Sequence, residues 1–207
     1  MTHTENVHLL FGAGLAFTGL LWLLAQSAPA SPLRYAWPTL VFLAGLFLVI
    51  PTETQERTYV PVGTWDTFLS VFPNSLDVWL ATVRKPHVIQ HKTAGLCAML
   101  AGLVELARAA GWITLRGARW VLPVCAVVAG LAVGIHGGTH THLPHGVEQM
   151  HHWVLGGALV LGGTALGYAE TSEPRPRLWA GVLPVLLVLA GLDLALLYRV
   201  PPAVHMP

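Results

Sequence analysis

The residues best able to do chemistry in this chain lie in one short stretch, HGGTHTHLPHGVEQMHH, at positions 136–152. It holds six of the eleven histidines in the chain: His136, His140, His142, His145, His151 and His152. Imidazole is a common ligand of transition metals and of haem iron. So many histidines beside long apolar segments therefore indicate a metal or haem site.

The composition is that of a membrane protein. The 207-residue chain is 54% hydrophobic and only 10% charged, with a mean hydropathy of +0.61, whereas an average soluble domain is about 25% charged. The lipid bilayer is therefore its expected partner. A formal net charge of +1, with basic residues scattered singly, gives no indication of a nucleic-acid partner.

Six apolar runs approach the roughly 20 helical residues that cross the hydrocarbon core of a bilayer. These runs are residues 7–26, 35–50, 88–110, 120–136, 152–168 and 178–198. Aromatic residues recur at helical spacing within residues 64–83, which predicts a short helical segment in the membrane interface. We therefore predict an all-α, polytopic membrane helix bundle that forms one domain over residues 1–207.

The distribution of basic residues predicts the orientation of this bundle. Six spans place both termini on one side of the membrane, together with the connections 51–87 and 136–151. The three short loops on the other side are dense in arginine, with Arg34, Arg108, Arg116, Arg119, Arg175 and Arg177. Because cytoplasmic loops are enriched in Lys and Arg, we expect those loops inside and both termini on the outer, periplasmic side of the inner membrane.

This topology places every histidine on the outer side. His8 opens the first span, His87 and His91 open the third, His136 closes the fourth, and His151 and His152 open the fifth.

Residues four apart share a helical face, which pairs His87 with His91 and Glu148 with His152. Asp193 lies roughly 9 Å below the outer end of the last span. An ionisable group at that depth is costly in lipid, so we expect Asp193 to hydrogen bond to His91, His136 or His152.

The first functional hypothesis is a transition-metal site at the outer face, with copper as the metal and zinc or iron using the same ligands. The predicted ligands are His87, His91, His136, His140, His142, His151 and His152, with Glu148 and Asp193 as ligands or as hydrogen-bond partners of ligands. The core set is His91, His136, His140 and His152, with His8 as a further companion. The protein would bind or handle the metal, or deliver it to an oxidase. Cys97 and Cys125 lie deeper and are interpreted as structural.

Three alternatives remain open. Two of His8, His91, His136 and His152 could clamp a haem b in a redox subunit that works with other membrane redox subunits. The histidine-rich loop could also sense pH without a metal.

A third alternative comes from the spacings HX3H, HX3HXH and EX2HH within residues 87–152, which resemble the histidine boxes of membrane fatty-acid hydroxylases and desaturases. This resemblance implies a di-iron oxygenase. The chain departs from that pattern because it lacks the pair of HXXHH boxes and has Glu148 where the first histidine of one box belongs. The predicted orientation also differs, since the boxes of that family face the cytoplasm.

Overall fold

The computed structural model describes residues 3–49, 86–136, 147–172 and 177–198, and these residues form helices and turns with no strand. The six α-helices are α1 His3–Ser27, α2 Leu33–Val49, α3 Pro86–Ala109, α4 Val121–His136, α5 Val147–Thr171 and α6 Arg177–Leu192. A 3₁₀ turn, Arg116–Trp120, precedes α4, and a π-helical turn, Asp193–Leu197, extends α6. Each predicted apolar run coincides with one helix. The predicted interfacial segment at 64–83 lies outside the described residues.

The helices form a closed ring in chain order. Each helix packs against the next one in the sequence, and α6 packs back against α1. Neighbours are antiparallel: Gly12 of α1 lies against Gly191, whereas Gly19, farther along α1, lies against Pro184. The starts of α1, α3 and α5 therefore share one end of the bundle with the ends of α2, α4 and α6.

Glycines allow the closest helix contacts. A Cβ atom on Gly12 would lie 2.6 Å from the carbonyl oxygen of Gly191, and one on Gly130 of α4 would lie 2.6 Å from that of Gly156 on α5. Distances this short leave no room for a side chain, so the backbones meet directly, as small residues permit in membrane helix bundles.

Apolar side chains both fill the ring and cover its outside. Two buried clusters lie inside, one of which includes the parallel stacked rings of Trp22 and Trp37. Leucines on the outer surface are more than half exposed, including Leu10, Leu103, Leu131, Leu161 and Leu189. Soluble monomers rarely expose so much contiguous apolar surface.

Three helical segments in the described part of the chain are long and apolar enough to cross a membrane. They are His8–Ser27, Arg116–Ile135 and Leu178–Leu197, and α2 is a shorter apolar helix. These helices fit a membrane protein.

The end of the ring away from the histidines carries the turns between α1 and α2 and between α3 and α4. After α3, the chain turns at Gly111, whose φ of 75° is a left-handed conformation that glycine adopts without steric cost. In the last turn of α3, Arg108 donates a hydrogen bond to Glu105, one turn earlier on the same helix. We call this the arginine end, and the opposite end the histidine end.

Candidate functional site

The histidine end of the ring is built on a buried apolar layer. This layer consists of Ala94, Ala129, Val133, Leu155, Ala158, Ala190 and Leu194. One turn beyond it lie His91 on α3 and His151 and His152 on α5, and His8 of α1 contacts the same group of side chains. Side chains from separate helices thus meet at the border between the apolar interior and the histidine end.

His151 and Asp193 form the best-defined polar contact at this end. His151 Nδ1 lies 2.6 Å from the Oδ2 atom of Asp193, and the His151 side chain is only 1% exposed. When the carboxylate is ionised and the imidazole is neutral, Nδ1 donates this hydrogen bond and Nε2 carries the lone pair. The Nε2 atom is buried and has no hydrogen-bond partner among the described residues. In that tautomer a buried nitrogen lone pair is available to bind a ligand.

Aromatic contacts join His8 and His152 to the same cluster. The ring of His8 stacks on that of Tyr198 at a centroid distance of 3.8 Å and lies 6.2 Å from the ring of His152, with nearly perpendicular planes. Tyr198 also lies 5.4 Å from the ring of His151. We call His8, His151, His152, Asp193 and Tyr198 the histidine cluster, which joins α1, α5 and the turn after α6.

The π-helical turn after α6 positions two members of the histidine cluster. A π-helix has i→i+5 hydrogen bonding, which turns residues five apart toward similar directions. Asp193 opens this turn and Tyr198 directly follows it, where the backbone becomes extended with φ −67° and ψ 111°. Both side chains consequently contact His151.

Tyr198 was not predicted as a site residue. Its only sequence feature is its distance of five residues from Asp193, and in an α-helix that spacing does not place two side chains on one face. No rule based on residue spacing predicts the local change from α-helical to π-helical geometry.

The partner of Asp193 differs from the predicted one. We expected a hydrogen bond to His91, His136 or His152, and Asp193 instead pairs with His151. Consecutive residues on a helix point in different directions, so only one of the two adjacent histidines on α5 can meet α6 in this way. His152 contacts His8 instead.

Lys92 is a second residue that the sequence did not identify. Its side chain is buried and its ammonium group donates hydrogen bonds to the carbonyl oxygens of Leu48 and Val49. These are carbonyls of the last turn of α2, which have no intrahelical partner and carry the negative end of the helix dipole. Lys92 therefore caps α2 from α3 at the histidine end.

The remaining predicted ligands divide into two groups. His87, His136 and Glu148 lie on α3, α4 and α5, respectively, at the histidine end, and the structure does not describe their side chains. The half-buried His91 lies on α3 at the same end. His140 and His142 lie outside the described residues. Within the described ranges, no three His, Cys, Asp or Glu side chains form a complete metal-ligand group.

The two cysteines lie as a pair away from the histidine cluster. Cys97 of α3 and Cys125 of α4 are free thiols whose side chains hydrogen bond to each other across the helix interface. Both join the apolar interior, in keeping with the structural role predicted for them.

Comparison with known proteins adds no family assignment. No protein-family model, curated protein or solved structure matches this chain.

Proposed function

We propose that this chain is a multi-pass protein of the inner membrane that binds a transition metal, copper in the first instance, at its periplasmic face. In this proposal all six helices span the bilayer, with both termini and the histidine end outside. The protein would bind and handle the metal or pass it to a membrane oxidase.

The single observation that carries the proposal is the pairing of His151 with Asp193. A carboxylate that accepts a hydrogen bond from one ring nitrogen fixes the tautomer and raises the basicity of the other nitrogen, which is the usual arrangement behind a metal-bound histidine. In His151 that other nitrogen is buried without a hydrogen-bond partner among the described residues. Burying such an acceptor is costly unless it gains a partner, and a metal ion is the partner that this arrangement favours.

The rings of His8 and His152 are in T-shaped contact, at a centroid separation that an ion between them would also allow. Metal–nitrogen bonds of about 2.0–2.1 Å place the ring centroids of two imidazoles on one ion about 5–6.5 Å apart. The observed separation is 6.2 Å.

We propose His8, His151 and His152 as ligands, with Asp193 orienting His151; these side chains do not form a metal-ligand group in the structure, so ion binding would require them to move closer together. His87, His91, His136, His140, His142 and Glu148 supply the additional ligands in this proposal, since the sequence brings them to the same end. Soft sulfur ligands are not part of this set, and imidazole suits copper, zinc and iron. Zinc and iron are therefore tested beside copper.

Haem b is the second candidate, and the same pair of residues favours it. His8 and His152 come from different helices, and two axial histidines on opposite sides of a haem iron have a similar ring separation. Haem would use His8 and His152, or one of them with His91 or His136, and the chain would then be an electron-transfer subunit.

The experiment that separates these proposals is metal analysis with an absorption spectrum on protein purified in detergent. We expect about one copper ion per chain after loading and no Soret band. His151→Ala and the double variant His8→Ala/His152→Ala should each reduce the bound copper to less than half. His205→Ala serves as the matched control because it removes a histidine from the far C-terminal segment.

Two outcomes would overturn the copper proposal. A Soret band in the purified protein, lost in His8→Ala/His152→Ala, would assign the site to haem b. Unchanged copper content in both cluster variants would remove the histidine cluster from the site altogether. Circular dichroism and a single gel-filtration peak establish that each variant is folded.

A further inference from the structure

A polar cavity of about 480 Å³ lies at the arginine end, at the opposite end of the bundle from the histidine cluster. Its walls come from α2, α3, the turn after α3 and the 3₁₀ turn before α4. Four arginines line it, Arg34, Arg108, Arg116 and Arg119, against one acidic residue, Glu105. The volume falls within the range of about 300–1,000 Å³ that is usual for small-ligand sites.

Among the described residues that line this cavity, arginines outnumber carboxylates. Glu105 is already engaged by Arg108, and the guanidinium group of Arg34 lies over the ring of Tyr35 and hydrogen bonds to its hydroxyl. Arg119 has a buried Nε atom with no hydrogen-bond partner among the described residues. With four arginines and one carboxylate among its described lining residues, the cavity is suited to an anion.

The shape of the guanidinium group selects the class of anion. Arginine presents several N–H donors in a planar fork that matches the oxygens of a phosphate or carboxylate. Basic pockets at the cytoplasmic ends of membrane helices commonly hold phospholipid head groups. By the positive-inside rule, the arginine end is also the expected cytoplasmic end.

Apolar residues at the edge of the cavity favour a lipid over a free ion. Leu115 lines the cavity and is 77% exposed, and Trp112, in the same turn, is 84% exposed. Exposed tryptophan and leucine beside arginine are typical of the membrane interface. Such an edge could contact acyl chains while the arginines hold the phosphate, whereas inorganic phosphate would gain nothing from it.

We infer that the cavity binds the phosphate of an anionic phospholipid, with Arg116 and Arg119 as its principal donors. The ligand class is a phosphate-bearing anion, and the apolar edge assigns its source to lipid. This inference rests on the proposed membrane topology but not on the metal proposal, because it concerns the other end of the bundle.

The test is native mass spectrometry of the full chain in detergent, titrated with phosphatidylglycerol, phosphatidylcholine or inorganic phosphate. We expect phosphatidylglycerol to bind roughly tenfold or more tightly than phosphatidylcholine, and Arg116→Ala/Arg119→Ala to remove that preference. Arg177→Ala is the matched control, since Arg177 begins α6, a helix that contributes no described residue to the cavity wall. The control should keep the preference.

Each remaining outcome decides against the inference. Equal lipid preference in the wild type and the double variant would show that the arginines act only as surface charge. Binding of inorganic phosphate with no preference among lipids would assign the cavity to a free anion. If the double variant does not fold, Arg119→Lys keeps the charge but loses the guanidinium fork, and unchanged phosphatidylglycerol affinity in that variant would equally overturn the inference. Copper content, measured on the same samples, reports separately on the histidine end.

Discussion

His151 and Asp193 meet across the interface between α5 and the turn after α6, with 2.6 Å between Nδ1 and Oδ2. The contact links a fully buried imidazole to a carboxylate that the sequence places within an otherwise apolar segment. Each group offsets the desolvation cost of the other. The pair therefore fixes the orientation of His151. Its second ring nitrogen, Nε2, is buried and has no hydrogen-bond partner among the described residues.

The first prediction concerns Asp193→Asn, which keeps the size of the side chain and removes its charge. The amide no longer holds the His151 ring in the tautomer that leaves Nε2 basic. Loss of a carboxylate behind a metal-bound histidine typically lowers metal affinity by about 10- to 100-fold. We expect a decrease in that range, measured by competition with a copper chelator of known affinity.

Asp193→Glu provides the comparison for this experiment, because it restores the charge on a longer side chain. We expect it to recover part of the lost affinity. If Asp193→Asn binds copper as tightly as the wild type, the carboxylate does not act through a metal-bound His151.

The second prediction uses two glycines on the same helix. Gly12→Ala puts a Cβ atom 2.6 Å from the Gly191 carbonyl oxygen and 2.7 Å from the Ala195 backbone nitrogen, whereas a Cβ on Gly14 meets nothing within 4 Å. Gly12→Ala must therefore push α1 away from α6, at an overpacking cost of about 1–3 kcal/mol. We expect lower thermal stability in detergent and weaker copper binding, since His8 and Tyr198 lie on the two separated elements.

Gly14→Ala is the matched control for that substitution. Alanine at an open helical position is expected to be neutral or to stabilise by about 0.5–1 kcal/mol. Equal behaviour of the two variants would mean that α1 and α6 are not in direct backbone contact.

The arrangement of the helices could be predicted from the apolar runs in the sequence. Apolar runs near membrane length form helices because a backbone in an apolar environment must satisfy its own hydrogen bonds. Alternating helix directions then bring His8, His91, His136 and His152 to one end whatever the details of packing.

Details within that end depend on rotation about each helix axis, which composition does not determine. His151 and His152 are adjacent, and a small rotation of α5 decides which of them meets Asp193. Tyr198 reaches the cluster from extended backbone directly after a π-helical turn, which residue spacing does not predict. From the sequence alone, Lys92 would be expected on the surface. Its long side chain instead lets the ammonium group cap α2 from a buried position.

The third prediction tests that cap with Lys92→Met, which keeps the apolar stem and removes the donor. The variant leaves carbonyls in the last turn of α2 without their hydrogen bonds from Lys92. Losing a buried charged donor in this way costs about 1–3 kcal/mol. We expect a lower unfolding midpoint in detergent than for Leu96→Met, a control at an exposed position on the same helix. Equal midpoints would show that the lysine does not stabilise α2.

The fourth prediction addresses which end of the bundle faces outward. Arginine density places the turn between α1 and α2 inside and the connection between α4 and α5 outside. In a variant with Cys97 and Cys125 replaced by serine, a cysteine introduced as Thr139→Cys should react with a membrane-impermeant maleimide in intact cells. Ala30→Cys, at an exposed position in the turn after α1, should react only after permeabilisation. The reverse labelling pattern would place the histidine cluster in the cytoplasm and would exclude a role in periplasmic copper handling.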